Sequence, residues 1–464
     1  MIKETTAEKI LDYILSHGGD FGEVFCEQKL YTQMNMISQG REHFRPEAVS
    51  SGCEAGTGIR IFQGGASIYL YTNAEDEASL FGLLKEKWGK TPAAMDGNLQ
   101  CGKACGNESG YAGEICGASL TGKASLLCRI NRAGFAASER ISRMRTRYID
   151  MDQSVLIANT EGVMAHDRRV KTRLHITATA QDGNETQSSY TGPGAMRDFG
   201  FYQELNPERY AGKAAEDAVR MLHAVPCPTG RMPVVIANGF GGLFFHEACG
   251  HSLEASAAAD GASEFSGKIG QQVAAPGLTL IDDGSMPDAW GSLHIDDEGI
   301  PTRKNVLIEN GILRGFMTDR WNGKRLGLAP TGSARRQSYR FAPTSRMTNT
   351  YIMAGTDKLS DMIASIDRGI YVKSINAGSV NPPIGEFNFN TSETFLIEHG
   401  EITKPVHSAT LIGTGGDILK RVEMIGDDYD IGQGFCYAGS GAIYIGAGQP
   451  SVKISEMTVG GDEA

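Results

Sequence analysis

Pro226-Cys227-Pro228-Thr229-Gly230 interrupts the chain near its middle. Neither proline can continue a helix, because each lacks a backbone N–H and has a fixed φ. A helix capped by Asn206, with Pro207 at its first position, is predicted to end before this segment. A Gly-rich, mostly β pattern follows it. The sequence therefore predicts an N-terminal domain over residues 1–226 and a C-terminal domain over residues 227–464.

The N-terminal domain has a mixed pattern of helices and strands. Beyond a first helix near the N-terminus, helical periodicity predicts helices over residues 75–88 and 125–137. Alternating apolar residues and turn signals predict several separate strands within 22–71 and a strand meander within 141–203. Residues 90–118 are rich in Gly, Cys and Asn, and we expect them to form a long loop.

The C-terminal domain is dominated by short strands. A buried strand is predicted over residues 234–237, and short strands with Gly-containing turns follow from Gly277 onward. One further helix is predicted over 357–368, capped by Thr356 and stopped by Gly369. The fold class is thus α+β, with a mixed α/β N-terminal domain that holds an antiparallel sheet and flanking helices. A β-rich, antiparallel sandwich or barrel-like C-terminal domain follows it.

Composition narrows the possible partners and compartment. The chain has 464 residues, 41% of them hydrophobic, and a formal net charge of −11. This acidic balance opposes nucleic-acid binding, and no apolar run reaches the roughly 18 residues of a membrane span. The N-terminus lacks the apolar segment of a signal peptide, and the nine cysteines are an odd, scattered set typical of free thiols. We therefore expect a cytoplasmic protein that contacts neither membrane nor nucleic acid.

The segment Leu243-Phe244-Phe245-His246-Glu247-Ala248-Cys249-Gly250-His251-Ser252-Leu253-Glu254 carries the chemistry. Two histidines flank a carboxylate, as in zinc peptidases. Neutral imidazoles bind zinc and leave a coordination position for water. A carboxylate beside the first ligand can take the proton of that water and pass it to the leaving amine.

The spacing of the two histidines departs from the usual zinc helix. His246 and His251 are five residues apart, which places them about 140° apart around an ideal α-helix. Both can reach one metal ion only if the helix is widened by a π-bulge or broken. Gly250 makes such a distortion inexpensive. We therefore predict a distorted helix at this glycine.

The residues alone leave the third ligand open. The candidates are Glu254, Cys249, His294, His407 and Cys436. We expect Cys249, which lies between the two histidines, to point away from the metal. Glu254 lies nearly one turn beyond the second histidine and could be a ligand or could orient a ligand imidazole. Cys436 lies in a Gly-rich turn, where a buried apolar cysteine is the usual interpretation.

Collinear sequence blocks resemble the TldD branch of the TldD/PmbA family of metallopeptidases, also labelled modulators of DNA gyrase. The first of these blocks is the motif His-Glu-x-x-x-His-x-Leu-Glu over residues 246–254. The N-terminal half matches more loosely, through Gly56–Arg60 and Val155–Gly162. Further blocks in the C-terminal half are Phe265–Gly270, Asp282–Ser285, Asp296–Gly299, Gly315–Arg320, Arg346–Thr350, Ala409–Gly413 and Gly448–Pro450.

This resemblance implies a zinc peptidase with one Zn²⁺ per chain. It implies that His246, His251 and Cys436 hold the metal and that Glu247 is the catalytic base. The chain looks like the active branch, because the PmbA type lacks the histidines and the glutamate. The resemblance also implies short or unfolded peptide substrates. As partner it implies a second copy of the chain, or a PmbA-type (TldE) subunit in a heterodimer.

Arginine and tyrosine side chains in the C-terminal half are further candidates. Arg335 and Tyr339 lie among the family-like blocks and could bind a peptide carboxylate or stabilise the oxyanion. Glu254 remains a candidate hydrogen-bond partner of a ligand imidazole. The alternative for the arginine and the tyrosine is a solvated or interface cluster.

Four cysteines match no family motif. Cys101, Cys105, Cys116 and Cys128 have spacings that fit no standard zinc or iron–sulfur site. Free thiols are the favoured interpretation.

Two other functions compete with the peptidase. A His/His/Cys metal site can also hydrolyse a formyl amide, which would make the protein an amidase or a deformylase-like hydrolase, although the five-residue spacing disfavours this. The gyrase-modulator label would suggest a non-enzymatic regulatory partner protein. The intact motif and the acidic charge favour the enzyme.

Overall fold

The computed structural model describes residues 1–41, 44–88, 97–103, 109–110, 114–381 and 383–461. Side chains are not described for residues 97–103, 109–110 and 377. Within these ranges, no helix is long and apolar enough to cross a membrane.

The N-terminal half is built on one large sheet. Its strand order is β4-β3-β2-β1-β6-β7-β8, with β5 paired to β2 and β9 to β7. Pairing is antiparallel except between β3 and β4, which are parallel. The strands are β1 (Phe21–Gln39), β2 (Ala48–Gln63), β3 (Ala66–Thr72), β4 (Gly97–Lys103), β5 (Ser109–Gly110), β6 (Ile141–Asn159), β7 (Met164–Asp182), β8 (Glu185–Thr191) and β9 (Gly194–Ala195).

The strands of this sheet are longer than the sequence predicts. β1 and β6 each run for 19 residues without a break, where separate short strands were expected. β2 or β6 pairs with β1 along its whole length, and β1 or β7 pairs with nearly all of β6, so polar residues in mid-strand do not end them. The expected loop over 90–118 is wrong at β4, and part of that segment lies outside the described residues.

Helices flank the sheet and recur in the C-terminal half. In the first of them, Ile10, Leu11 and Ile14 form the buried face. The helices are α1 (Glu4–Ser16), α2 (Glu77–Leu83), α3 (Leu120–Ala137), α4 (Phe201–Glu204), α5 (Pro207–Arg220), α6 (Leu243–Phe245), α7 (Ala255–Ala259), α8 (Arg320–Leu326), α9 (Leu359–Ala364) and α10 (Gly415–Lys420).

The helix boundaries confirm some predictions and correct others. Asn206 caps α5 by accepting a hydrogen bond from the Arg209 amide, with Pro207 at the first turn, as predicted. α2 is shorter than predicted and continues as a π-helix over Leu84–Trp88; its cap is Asp76. α9 covers only the middle of the predicted helix, and Lys358, not Thr356, stands at its cap position without a side-chain hydrogen bond. It ends before Ser365, and Gly369 lies in β17.

The C-terminal half contains a closed barrel and a second sheet. The barrel closes because β10 pairs with β17 in parallel and with β24 antiparallel, completing the ring β10-β17-β18-β20-β24. The second sheet has the order β13-β12-β11-β16-β23-β22. The strands are β10 (Gly230–Ile236), β11 (Leu280–Asp283), β12 (Lys304–Glu309), β13 (Ile312–Leu313), β14 (Ala334–Arg335), β15 (Thr344–Ser345), β16 (Asn349–Ile352), β17 (Arg368–Asn381), β18 (Glu386–Glu398), β19 (Glu401–Val406), β20 (Thr410–Thr414), β21 (Val422–Ile425), β22 (Asp430–Ala438), β23 (Gly441–Gln449) and β24 (Val452–Gly460).

These elements confirm the α+β class and the barrel-like C-terminal half. The largest apolar core lies entirely after Cys227, and two other cores lie before residue 223. A smaller cluster joins Phe25 and Ile157 to Tyr339, so the halves also share buried surface. The division at residue 226 stays a prediction.

Candidate metal centre

The segment with the two histidines is a helix that changes its winding. It begins as α6, becomes a π-helix over His246–Gly250, and ends as a 3₁₀ turn over His251–Leu253. The imidazole rings of His246 and His251 lie 5.2 Å apart at 83°. A π turn adds one residue per turn, so histidines five apart face the same side. The predicted distortion is confirmed.

Gly250 has a different role from the one that its flexibility suggested. Its backbone is helical, with φ −57° and ψ −48°, so it does not use the left-handed region. A Cβ at this position would lie 2.3 Å from Sδ of Met347, and Met347 is fully buried. The glycine is therefore required by the close approach of Met347, not by its own backbone angles.

Cys436 comes to the histidines from far along the chain. It lies on β22, the edge strand of the second sheet, where it pairs with Ile443. Its Sγ is 3.2 Å from Nε2 of His251. One ligand atom each from His246, His251 and Cys436 lies within 4.8 Å of the others. Among the described residues, no other group of three or more potential ligands comes this close together.

The chemistry of these three side chains fits a bound metal ion. His246 is 1% exposed, and neither of its ring nitrogens has a hydrogen-bond partner among the described residues. Burial lowers the pKa of His246, so its imidazole is neutral and can act as a ligand. Two imidazoles and a thiolate form a donor set that zinc accepts.

Two carboxylates frame His251. Oε2 of Glu254 lies 3.3 Å from Nδ1 of His251, and Oε2 of Glu247 lies 3.6 Å from its Nε2. Burial opposes the charged imidazole, but Glu254 and Cys436 outweigh it and raise the pKa of His251. Burial raises the pKa of Glu247. Glu254 thus lies on the Nδ1 side of this imidazole, and Glu247 lies on its Nε2 side, which Cys436 also approaches.

Arg346 is a residue of this centre that the sequence reasoning missed. It is fully buried, and its Nε lies 3.7 Å from Oε1 of Glu254. Its Nη2 donates to the Cys436 carbonyl at 2.9 Å, and its Nη1 donates to Ser440. One guanidinium thus connects the helical ligands to the strand ligand. The sequence signal that could have indicated Arg346 was its position in the family-like block Arg346–Thr350.

The other candidate ligands have other partners. Cys249 is buried and its thiol contacts the Phe245 carbonyl at 3.1 Å, so it points away from the metal group as predicted. His294 is largely exposed and contacts Asp167. The backbone amide of His407 donates to Val225.

Arg335 and Tyr339 are buried at the junction of the two halves. Arg335 donates to the Met347 carbonyl at 2.6 Å. The Tyr339 amide donates to Oε1 of Glu27, and its ring is 1% exposed. Neither residue belongs to the metal group.

The remaining cysteines are described in part. Cys116 is buried and its thiol contacts the Met151 carbonyl; the thiol of Cys128 contacts the Phe44 carbonyl. Both are free, as predicted. The side chains of Cys101 and Cys105 lie outside the described residues.

Comparisons with known families and proteins relate the chain to metallopeptidases. Residues 229–461 match the PmbA/TldA metallopeptidase C-terminal domain, and residues 115–222 match the central domain of the same family. A Haemophilus influenzae relative named metalloprotease TldD homolog is 40% identical over 73% of this chain and 72% of its own. A Buchnera aphidicola relative of the same name is 32% identical over 95% and 93%. A Saccharolobus solfataricus relative named zinc metalloprotease TldD homolog is 35% identical over 50% and 52%.

Solved structures share the fold. A Thermotoga maritima protein described as a proposed modulator of a DNA gyrase has a TM-score of 0.76 at 21% identity, over 98% of this chain and 100% of its own. TldE from Thermococcus kodakarensis has a TM-score of 0.75 at 19% identity, over 98% and 99%. At these identities the likeness concerns the fold alone.

Proposed function

The chain belongs to the PmbA/TldA metallopeptidase family, also called PmbA/TldD, and on that premise we propose that it is a zinc peptidase whose ligands are His246, His251 and Cys436. The observation that carries this is the buried imidazole of His246, whose two nitrogens lack hydrogen-bond partners among the described residues. A buried polar group without a hydrogen-bond partner lowers the free energy of unfolding by about 1–3 kcal/mol. A metal ion shared with the thiol and the second imidazole would remove that cost. The Saccharolobus relative named a zinc metalloprotease supports the choice of metal. The one group of three ligands found among the described residues supports one ion per chain.

The bound zinc would polarise the scissile carbonyl and lower the pKa of a water molecule. Glu247 is the group positioned to move the proton. Its Oε2 lies 3.6 Å from Nε2 of His251, so it reaches the volume between the ligand atoms. A carboxylate at this place can accept the proton of the water and return it to the leaving amine.

Glu254 and Arg346 act through the ligands and are positioning residues. Glu254 accepts the Nδ1 proton of His251, which leaves Nε2 free to bind the metal. Arg346 holds both Glu254 and the carbonyl of Cys436. The thiol therefore stays aligned with the helical turn although it comes from another sheet. Arg335, which bonds to the Met347 carbonyl, and Tyr339 are the further residues that we propose for binding a peptide carboxylate or the oxyanion.

The substrates we propose are short or unfolded peptides, hydrolysed by the chain as a homodimer or together with a TldE-type subunit. The family and its peptidase names support the reaction class. Light scattering of the purified chain, alone and mixed with a TldE-type subunit, tests the assembly. A monomer in both samples contradicts this part of the proposal.

Three variants test the centre, and two of them form a matched pair of cysteine substitutions. Glu247→Gln should retain about one zinc ion per chain and lose cleavage of an unstructured fluorogenic peptide by at least about 100-fold. Cys436→Ser should lose the zinc, whereas Cys249→Ser, the buried cysteine that points away, should retain both zinc and activity. N-formylated and free peptides serve as parallel substrates, because preference for the formyl amide would indicate a deformylase. Undiminished cleavage by zinc-loaded Glu247→Gln would refute the assigned base.

A further inference from the structure

A small cavity lies at the junction of the two halves, and none of His246, His251 and Cys436 lines it. Its volume is about 30 Å³. β1, β6 and β7 contribute one side of its lining, and residues after 292 contribute the other. The charged groups in its wall are Lys29, Arg169, Lys171, Arg335, Arg336 and Asp297. We call it the basic cavity, because five cationic side chains and one carboxylate line it.

Three of the five cations have carboxylate partners. Arg169 pairs with Asp297 at 2.6 Å. Arg336 pairs with Glu23 and Lys29 with Glu54, each at 2.7 Å. Glu23 and Glu54 are not part of the cavity wall. These pairs neutralise the corresponding side chains.

Lys171 and Arg335 have no carboxylate partner among the described residues. Lys171 is fully buried and its Nζ donates to the carbonyls of Trp290 at 2.5 Å and Ser292 at 2.9 Å. Arg335 is 3% exposed, and its hydrogen bond goes to the carbonyl of Met347. An ammonium group has three N–H donors and a guanidinium has five. Both groups therefore keep donors beyond the bonds that the described residues accept.

This arrangement is costly without a counter-charge. Removing an ion from water costs several kcal/mol even after relaxation, unless a partner compensates it. Burial is the main cause that lowers the pKa of Lys171; repulsion from Arg335 and Arg169 adds to it, and the carboxylates Asp167 and Asp297 oppose it. An anion in the cavity would lie against both unpaired groups and offset that repulsion.

The size of the cavity selects the kind of anion. A space of roughly 10–15 Å³ already holds one water molecule, so the basic cavity has room for a monatomic ion but not for a peptide. We propose that the basic cavity binds one halide ion, chloride, which links the N-terminal sheet to the C-terminal half through Lys171 and Arg335. The competing occupant is water beside a neutral lysine.

The first test uses the zinc-loaded, full-length protein with chloride and bromide as probes. At constant ionic strength, with sodium gluconate as the replacement salt, raising chloride from zero to 100 mM should increase Tm saturably by about 2 °C. Bromide should act similarly. Crystals grown in bromide should show one anomalous-scattering peak in the cavity. A Tm that depends only on ionic strength, or water alone in the cavity, overturns the proposal.

A pair of buried lysines provides the control. Lys171→Met should abolish the chloride-specific rise in Tm, because it removes one of the two unpaired cations. Lys123→Met removes a buried lysine that already pairs with Asp150 at 2.6 Å, and it should keep the rise. If Lys171→Met also keeps the rise, the ion binds elsewhere and the assignment to this cavity is wrong. If that variant fails to fold, the bromide peak in the unaltered protein still decides the question.

Discussion

Replacing Gly250 by alanine should disturb the metal centre through packing alone. The new Cβ would lie 2.3 Å from Sδ and 3.1 Å from Cε of Met347, so the Met347 side chain must move by about 1 Å or more in a close-packed core. Such overpacking costs about 1–3 kcal/mol. The helical backbone of Gly250 offsets about 1 kcal/mol of this, since alanine is the better helix former. We expect a net loss of about 1 kcal/mol in the free energy of unfolding.

The displacement should also reach the ligands. Met347 follows Arg346, whose guanidinium holds the Cys436 carbonyl. We therefore expect Gly250→Ala to bind zinc more weakly in a chelator competition, by up to about 10-fold. Urea unfolding of the zinc-free protein measures the packing cost separately.

Gly212 supplies the matched control. It also lies within a helix, α5, and a Cβ there would meet no atom within 4 Å. Gly212→Ala should therefore stabilise the protein by up to about 1 kcal/mol and leave zinc affinity unchanged. The double variant Gly250→Ala/Met347→Val should lose less unfolding free energy than the two single variants lose in sum, by at least about 1 kcal/mol. Equal stabilisation by the two alanine variants would refute the steric reasoning.

Three further predictions concern ligand orientation, metal linkage and pH. Glu254→Gln should weaken zinc binding about 10–100-fold, measured by chelator competition, because the partner of His251 Nδ1 loses its charge; unchanged affinity contradicts the orienting role. Removing zinc with a chelator should lower Tm, and adding zinc back should restore it, in Cys249→Ser but not in Cys436→Ser; an identical response in both variants contradicts the ligand assignment. Burial, with the nearby arginines, lowers the pKa of His175 to about 3. Its unfolded pKa is about 6.5, so below that pH the unfolded chain binds the extra proton. Through this group, the free energy of unfolding should fall by roughly 2 kcal/mol between pH 6.5 and pH 5. Denaturant unfolding of His175→Gln over the same pH range should show a fall that is smaller by this amount. An equal pH dependence in the variant and in the unaltered protein refutes the role of His175.

Local signals in the sequence predicted the elements they govern. The Asn206–Pro207 start of α5 depends on a cap and a fixed φ, both of which are read within a few residues. The π turn at His246–Gly250 followed from the five-residue histidine spacing once a shared metal was assumed. These features need no knowledge of the rest of the fold.

Features that depend on distant partners could not be derived from the residues alone. Cys436 stood among five candidate ligands, because nothing local to a Gly-rich strand indicates that a histidine 185 residues away lies 3.2 Å from its thiol; only the family resemblance pointed to it. Arg346 was missed because charged residues are ordinarily solvent-exposed, and its burial depends on Glu254 and on carbonyls of another strand. β1 appeared as several short strands, since its full length depends on β2 and β6.

The closed barrel has a consequence for how the protein is made. β10 begins the C-terminal half, and the strand that closes the ring beside it, β24, is near its far end. Contacts so distant along the chain slow folding, because a long loop must be ordered before they form. During synthesis, the side of β10 that β24 will cover stays open and can pair with other strands. The time that the ribosome needs to synthesise the chain from β10 to β24 should therefore determine how strongly the protein depends on chaperones and how readily it aggregates during synthesis.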